Sequence, residues 1–148
     1  MQTIIHASML VVDDSNRLLL VQEDGPHNHG KWNLPGGGVE VGEPLAASAE
    51  REVREETGLE VRAEGLIGVY TGFGEFRYIN FVFLGRATGG QTTPQTGEIL
   101  ACRWFDPHEA LDLDPHEVLN PRKLRRIIED WQSQPAGPLS IIVEDMYG

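Results

Sequence analysis

Residues 44–58 restrict this chain more than any other stretch, because they read as a helix carrying three carboxylates on one side. Ala46, Ala49 and Val53 recur at helical spacing, and Pro44 suits the first helical position, where a missing N–H leaves nothing unsatisfied. Gly58 supplies a left-handed stop. Glu52, Glu55 and Glu56 stand at i, i+3 and i+4, so their side chains share a face. Like charges so placed repel, and a sequence tuned for helix stability alone would avoid them. Two readings follow. The trio is either a solvated charged surface, with Arg51 reaching Glu55 at i+4, or an oxygen-rich seat for a hard cation such as Mg²⁺. Just upstream, Gly36, Gly37 and Gly38 would either let the backbone approach a metal or phosphate closely, or simply form a flexible turn. Loop and acidic helix together are harder to explain as surface than either alone.

The remaining sequence alternates strand and loop signals. Residues 4–12 and 17–22 predict a hairpin turning at 13–16, followed by a polar loop over 23–31. A short apolar piece at 32–34 precedes the glycines, and 39–41 reads as another short strand. Residues 66–70, 77–84 and 99–105 are rich in β-branched and aromatic side chains, with a glycine- and threonine-bearing loop over 89–97. Residues 107–111 predict a short helix. Residues 120–132 predict a longer amphipathic one, with Leu124, Ile127, Ile128 and Trp131 on one face. Residues 140–143 read as a last short strand. The fold class is α/β or α+β, a mixed sheet with helices, and periodicity alone leaves both arrangements open.

A chain of 148 residues fits one domain spanning 1–148, large enough to bury a core without a disulfide or structural metal. The sole cysteine, Cys102, lies in an alternating run and reads as a small buried side chain. The net charge of −11 disfavours a nucleic-acid polymer as partner. Divalent ions bridging carboxylates and ligand would still let so acidic a protein hold phosphates. Residues 1–6 lack a basic-then-apolar leader, and no apolar run reaches membrane-spanning length, so no membrane and a cytoplasmic location are expected.

The central segment resembles the Nudix box, glycine-x5-Glu-x7-Arg-Glu-apolar-x-Glu-Glu-x-Gly-apolar. Its fixed positions here are Gly37, Glu43, Arg51, Glu52, Val53, Glu55, Glu56, Gly58 and Leu59. Chance agreement at all of them has a probability of roughly 10⁻¹⁰ per starting position at ordinary residue frequencies, so the motif is specific. The likeness continues upstream through Trp32, Leu34, Pro35 and Gly36, and downstream through Glu98, Arg103, Trp104 and Phe105.

The resemblance implies an α/β/α sandwich with the box as loop–helix–loop. It also implies one to three Mg²⁺ ions, or Mn²⁺ in their place, on Glu52, Glu55, Glu56 and the carbonyl of Gly36. The reaction implied is hydrolysis of a phosphoanhydride bond by metal-activated water. Glu55 is either a ligand or an aid in deprotonating water. Glu98 is a base, a ligand or simply a loop acid, and Arg51 is an orienting ion-pair partner. Glu43 is a loop or helix-start carboxylate. Gly37, Gly38, Arg77 and Tyr78 are expected at the substrate. Arg103 is a further candidate for phosphates and Phe76 for stacking on a base, although such residues on strands are more often ordinary surface or packing side chains. His27 and His29 read as ligands or as solvated loop residues.

The implied substrate is a small molecule, a nucleoside di- or triphosphate or a similar nucleoside diphosphate derivative. Residues 102–105 and 120–122 faintly resemble a bacterial branch acting on such compounds and on a thiamin-precursor pyrophosphate. Dinucleoside polyphosphates and ADP-ribose or nucleotide sugars are the alternatives, although the proline that marks many ADP-ribose hydrolases is missing between Leu59 and Gln91. Glu23 stands where many relatives carry a basic residue. A regulatory module that binds a nucleotide without cutting it is the alternative of another class, disfavoured by the complete box. Dimers are common in the family, so a homodimer is a further expectation.

Overall fold

The computed structural model describes residues 2–147; Met1 and Gly148, the two ends of the expected domain, lie outside the described residues. Strand β1 (Thr3–Val12) is the axis of a seven-stranded mixed sheet. Its side chains alternate between two cores, as a period of two requires. Ala7, Met9 and Val11 enter one, while Leu10 and Val12 enter the other. β6 (Arg77–Gly89) runs parallel to β1 from Thr3 opposite Arg77 to Val12 opposite Arg86. β5 (Glu60–Phe73) pairs antiparallel with β6 at the sheet edge.

The expected hairpin closes only at its mouth. Asp13 binds the turn, its carboxylate accepting from the N–H groups of Ser15 and Arg17. Beyond the pair Val12–Leu18, β2 (Leu18–Glu23) leaves β1. It pairs instead with β3 (Trp32–Asn33) on one side and β7 (Ile99–Phe105) on the other. The edge of β1 so vacated is filled by β4 (Gly36–Gly38), whose three glycines face Ser8, Ala7 and His6. The strand expected at 39–41 is thus displaced onto the glycines. Val39 donates one bond to the Ile5 carbonyl at 3.1 Å, and the chain then departs, leaving Val41 fully exposed. Glycine is a weak strand former, but here a side chain would not fit: a Cβ on Gly36 would lie 2.7 Å from the Ala7 carbonyl and would also meet the Ser8 hydroxyl.

Helix α1 (Leu45–Thr57) covers one face, with Ala49 and Val53 packed on Met9, Val11 and Phe83. Pro44 is the residue before the first turn, not its first member, and Gly58 closes the other end at φ 76°, its N–H bonded to the Arg54 carbonyl. Pro44 offers no side-chain cap. The exposed N–H of Leu45 instead donates to Glu144 Oε1 at 2.9 Å, across 99 residues of sequence. Residues 140–143, expected as a strand, are instead the end of a 3₁₀ turn (Leu139–Ile141) and the irregular chain after it. That turn lets Leu139 and Ile142 both reach the α1-side core, which alternation in a strand would prevent.

The opposite face is covered by α2 (Pro107–Leu111) and α3 (Pro121–Ser133), through Ala110, Leu124, Ile127 and Ile128 packed on Leu10, Leu18, Leu20, Val82 and Phe105. Helices on both faces of a mixed sheet match the expected sandwich. Two contacts fix the lie of α3. Near its N-terminus Val118 bridges Trp32, and at its C-terminal end Asp130 accepts the Tyr70 hydroxyl at 2.6 Å. Among the described residues no helix is long and apolar enough to cross a membrane.

Candidate active site

Because β4 runs beside β1, it brings its glycines against the inner face of α1 at the turn bearing Glu52 and Glu56. Gly37 lies so close that a Cβ there would stand 2.6 Å from the Glu52 carboxylate. Glu56 is 7% exposed, and one of its oxygens accepts the Gly36 N–H at 3.1 Å. Burial pushes its carboxyl up to about 9, against the pull of that hydrogen bond, and the charges of Glu23, Glu52 and Glu55 add to the rise. Glu52 is raised for the same first reason, with Arg51 opposing.

Arg51 holds this group in place. Its Nε donates to Glu43 at 2.7 Å, and Nη1 lies 3.1 Å from Glu52 and 3.2 Å from Glu55. Its Nη2 also donates to the Gly38 carbonyl at 3.2 Å. The guanidinium therefore ties the loop, the start of the box and the helix face together, and it holds the Glu43 carboxyl down at about 2. An orienting role for Arg51 would act through these contacts. Glu55 is the outermost of the trio and exposed. Gly38 has open space where a side chain would be, so close packing demands glycine at positions 36 and 37 but not at 38.

Among the described residues no three carboxylate, imidazole or thiol groups already converge at ligand spacing. The donor set nonetheless suits a hard divalent cation. Glu56 is a desolvated carboxylate with a single hydrogen bond, Glu52 faces a backbone with no side chain in the way, and both offer oxygen. A cation there would offset both the burial that chiefly raises these carboxyls and the repulsion that adds to it.

Glu23, which the sequence reading treated only as a departure from a basic position, belongs to this acidic group. It sits at the end of β2, accepts from Asn33 at 3.4 Å, and is raised by burial, with Glu98 adding to the rise. Glu98 itself is exposed in the turn before β7, its carbonyl accepting from Asp24. The signal for Glu23 was the buried run Leu18–Val21 just before it, which carries the strand's end to the glycine loop.

Other candidates lie elsewhere or have structural partners. Arg77 stacks over Phe73 at 4.5 Å at the far end of the β5–β6 pair. Tyr78 is 41% exposed and meets Phe76 edge to face. Arg103 lies over Phe105 and pairs with Glu109. His29 is paired with Asp24 at 2.8 Å, and His27 is exposed on the same loop. Cys102 is only partly buried, its thiol pushed up to about 11 by burial and by Glu56.

On the α3 face of the sheet, one strand away from β4, lies a polar floor that no motif announced. His6 is opposite Gly38 on one side and Asn80 on the other, and Asn80 is opposite Tyr70. Ser8 and Asn80 are buried and bonded to each other at 3.1 Å. Lys123 approaches His6 from α3.

Comparison with known proteins gives a consistent picture. The family model described as NUDIX domain matches residues 3–127. A human protein named 8-oxo-dGDP phosphatase is 33% identical over 136 residues, covering 86% of this chain and 39% of that protein. A Bacillus subtilis putative 8-oxo-dGTP diphosphatase is 36% identical over 102 residues, 68% of this chain and 65% of its own length. A solved NUDIX hydrolase from Nitrosomonas europaea superposes with a TM-score of 0.85 at 26% identity, covering 97% of this chain and 98% of that one. The chain thus spans about two fifths of the length of the human relative.

Proposed function

Since the chain belongs to the Nudix family, we propose that residues 1–148 form one catalytic unit that hydrolyses a phosphoanhydride bond in a nucleoside di- or triphosphate, with Mg²⁺ as its cofactor and Mn²⁺ as a substitute. One observation carries the reading: two glutamates of α1 meet a strand made only of glycine, Glu52 so close to Gly37 that no side chain would fit there and Glu56 bonded to the Gly36 N–H. That arrangement destabilises the free protein, and it makes chemical sense as a seat for a cation and the phosphates it brings.

Glu52, Glu56 and the Gly36 carbonyl would hold the metal, with Glu55 at its open side. When bound, the metal would supply charge neutralisation for the phosphate oxygens and lower the pKa of a water molecule. The chain's own residues do the rest. The Gly36 N–H orients Glu56 through its hydrogen bond. Arg51 fixes Glu52 and Glu55 relative to the loop, so neither must reorganise far when charge develops at phosphorus. Glu55, exposed and linked to Arg51, would accept a proton from water, with Glu98 as the second candidate base. The organic group of the substrate would lie over β1 and β6 on the α3 side, toward Tyr78; Arg77, stacked on Phe73, is a less direct candidate for phosphate.

The relatives named for 8-oxo-dGDP and 8-oxo-dGTP support a nucleotide with a guanine-type base as the first substrate to try. The test is turnover of a panel of nucleoside di- and triphosphates, oxidised guanine nucleotides included, with ADP-ribose and a dinucleoside tetraphosphate, each with Mg²⁺ and with chelator. Metal-dependent release of a nucleoside monophosphate supports the proposal. Nucleotide binding without turnover of any compound refutes it in favour of a regulatory module.

A further inference from the structure

Strand β5 lies at the edge of the sheet, and its two halves are built differently. Along the first half, Glu60, Arg62 and Glu64 put exposed charge on the edge, and the register with β6 slips at 60/61, 63/65 and 66/68. The chain that follows α3 also covers it there. Leu66 and Gly137 exchange backbone hydrogen bonds at 2.9 and 2.8 Å, and a Cβ on Gly65 would stand 2.8 Å from Ala136. Charges, bulges and a covering segment are the usual means by which an edge is kept from pairing with another chain.

The second half, residues 68–73, has none of them. It holds no charged residue and no proline, and its register with β6 runs without a slip from Gly68 opposite Val82 to Phe73 opposite Arg77. Among the described residues no backbone hydrogen bond from it reaches any segment but β6. About 20 Å of edge is thus left open. Val69 is opposite Phe81, which packs on the α1-side core, so Val69, Thr71 and Phe73 alternate onto that face. All three are exposed, Val69 by 47% and Phe73 by 74%.

This half-strand is self-complementary in one antiparallel register. With Thr71 on a two-fold axis, Val69 of each copy falls opposite Phe73 of the other, and Tyr70 falls opposite Gly72. Aromatic–β-branched and Thr–Thr pairs are among those that stabilise an antiparallel ladder. Gly72 has open space where a side chain would be, so the facing Tyr70 meets no obstacle. Moving the register by one residue sets Val69 against the opposite face. Moving it by two sets Val69 against Glu75 in one direction and Phe73 against the bulge at Ile67 in the other. In the favoured register no charge meets a charge, which counts between two chains of net charge −11.

We propose that residues 68–73 are the contact strand of a homodimer, in which β5 pairs with β5 of a second copy about Thr71 and joins the two seven-stranded sheets into one. The contact is isologous and closes on itself, so it makes pairs and not fibres. Six residues a side are few against the about 20–30 of a standard interface, so dimer and monomer exchange at micromolar concentration.

The test is sedimentation velocity of the full chain from low micromolar to submillimolar concentration, with amide hydrogen exchange followed over the same range. The mass of the parent should rise toward twice that of the chain, and amides within 68–73 should gain protection as it does. Thr71→Lys, at an exposed position, sets lysine opposite lysine on the axis and should raise the dissociation constant at least about tenfold. It also makes the chain less acidic by one charge, so unspecific association would strengthen instead. A parent that stays monomeric, a dimer that Thr71→Lys leaves intact, or protection gained only elsewhere would overturn the proposal. Should Thr71→Lys fail to fold, Thr71→Cys in a Cys102→Ser background keeps the test. Its two thiols would lie within disulfide reach across the axis, whereas those of Val69→Cys would lie about 14 Å apart along the strands. Oxidation should therefore link the copies through position 71 and not through position 69, and equal linking of both, or of neither, would again overturn the assignment.

Discussion

Replacing Glu56 by glutamine should make the metal-free protein more stable at alkaline pH while abolishing its activity. Glu56 ionises near 4.5 in the unfolded chain and at about 9 in the folded one. Between those values the native state binds the extra proton, so stability falls as pH rises from 4.5 to 9 and levels off above. At 1.36 kcal/mol per unit, the whole span is worth at most about 6 kcal/mol, and about 4–5 kcal/mol has been lost by pH 8. Glutamine keeps the acceptor for the Gly36 N–H but cannot ionise. It also brings a buried amide N–H₂ that lacks a ready partner, which costs about 1–3 kcal/mol. In chelator, Glu56→Gln should therefore be about 1–4 kcal/mol more stable than the parent at pH 8, and equal or slightly less stable at pH 5. With excess Mg²⁺ the order should reverse at pH 8, because the ion stabilises only the chain that binds it. Turnover should fall by about 100-fold or more, beyond the 10- to 100-fold typical of outer-shell partners. The assay is urea unfolding at three pH values with chelator and with Mg²⁺. Parallel stability–pH slopes for parent and variant would refute the reasoning, since the slope, and not the absolute level, reports a desolvated carboxyl.

Gly37→Ala would put a methyl group 2.6 Å from the Glu52 carboxylate, so that side chain must swing away from Arg51. Mg²⁺ titration should show at least about tenfold weaker binding, and unchanged affinity would count against close packing of loop and helix. Tyr70→Phe removes the 2.6 Å bond to Asp130, and urea unfolding at pH 7 should show a loss of about 1.5–3 kcal/mol, as for hydrogen bonds to charged groups. The bonds from Tyr70 and Arg126 hold the Asp130 carboxyl below its ordinary value. That stabilisation is complete above the unfolded pKa and is lost as pH falls through the folded one. The difference between parent and Tyr70→Phe should accordingly shrink in acid, and a difference that does not depend on pH would contradict the assignment.

Elements whose signal is local were readable from sequence. The helix at 45–57 declares itself through Ala46, Ala49 and Val53 and through its stop at Gly58, and the acidic face follows from spacing alone. What depends on which strand meets which was not. The pattern of 4–12 and 17–22 says hairpin, yet both strands are buried on two faces and each takes other partners, with β4 inserted between them. Three glycines carry no periodicity, so nothing local marks them as a strand; the reason lies in remote neighbours, Ala7 and Ser8 against Gly36 and Glu52 against Gly37, which leave no room for a side chain. Glu23 was missed for a related reason. It matters because of a neighbour remote in sequence, Glu56.

The bond from Leu45 to Glu144 makes the start of the acidic helix answer to residues synthesised long after it. At roughly 5–20 residues per second, the ribosome needs about 5–20 s to add the 99 residues between them. Through that interval the helix can pack its apolar face, but its first turn has an open N–H and no closing contact. That bond is accordingly among the last local contacts the helix can acquire as the chain is made.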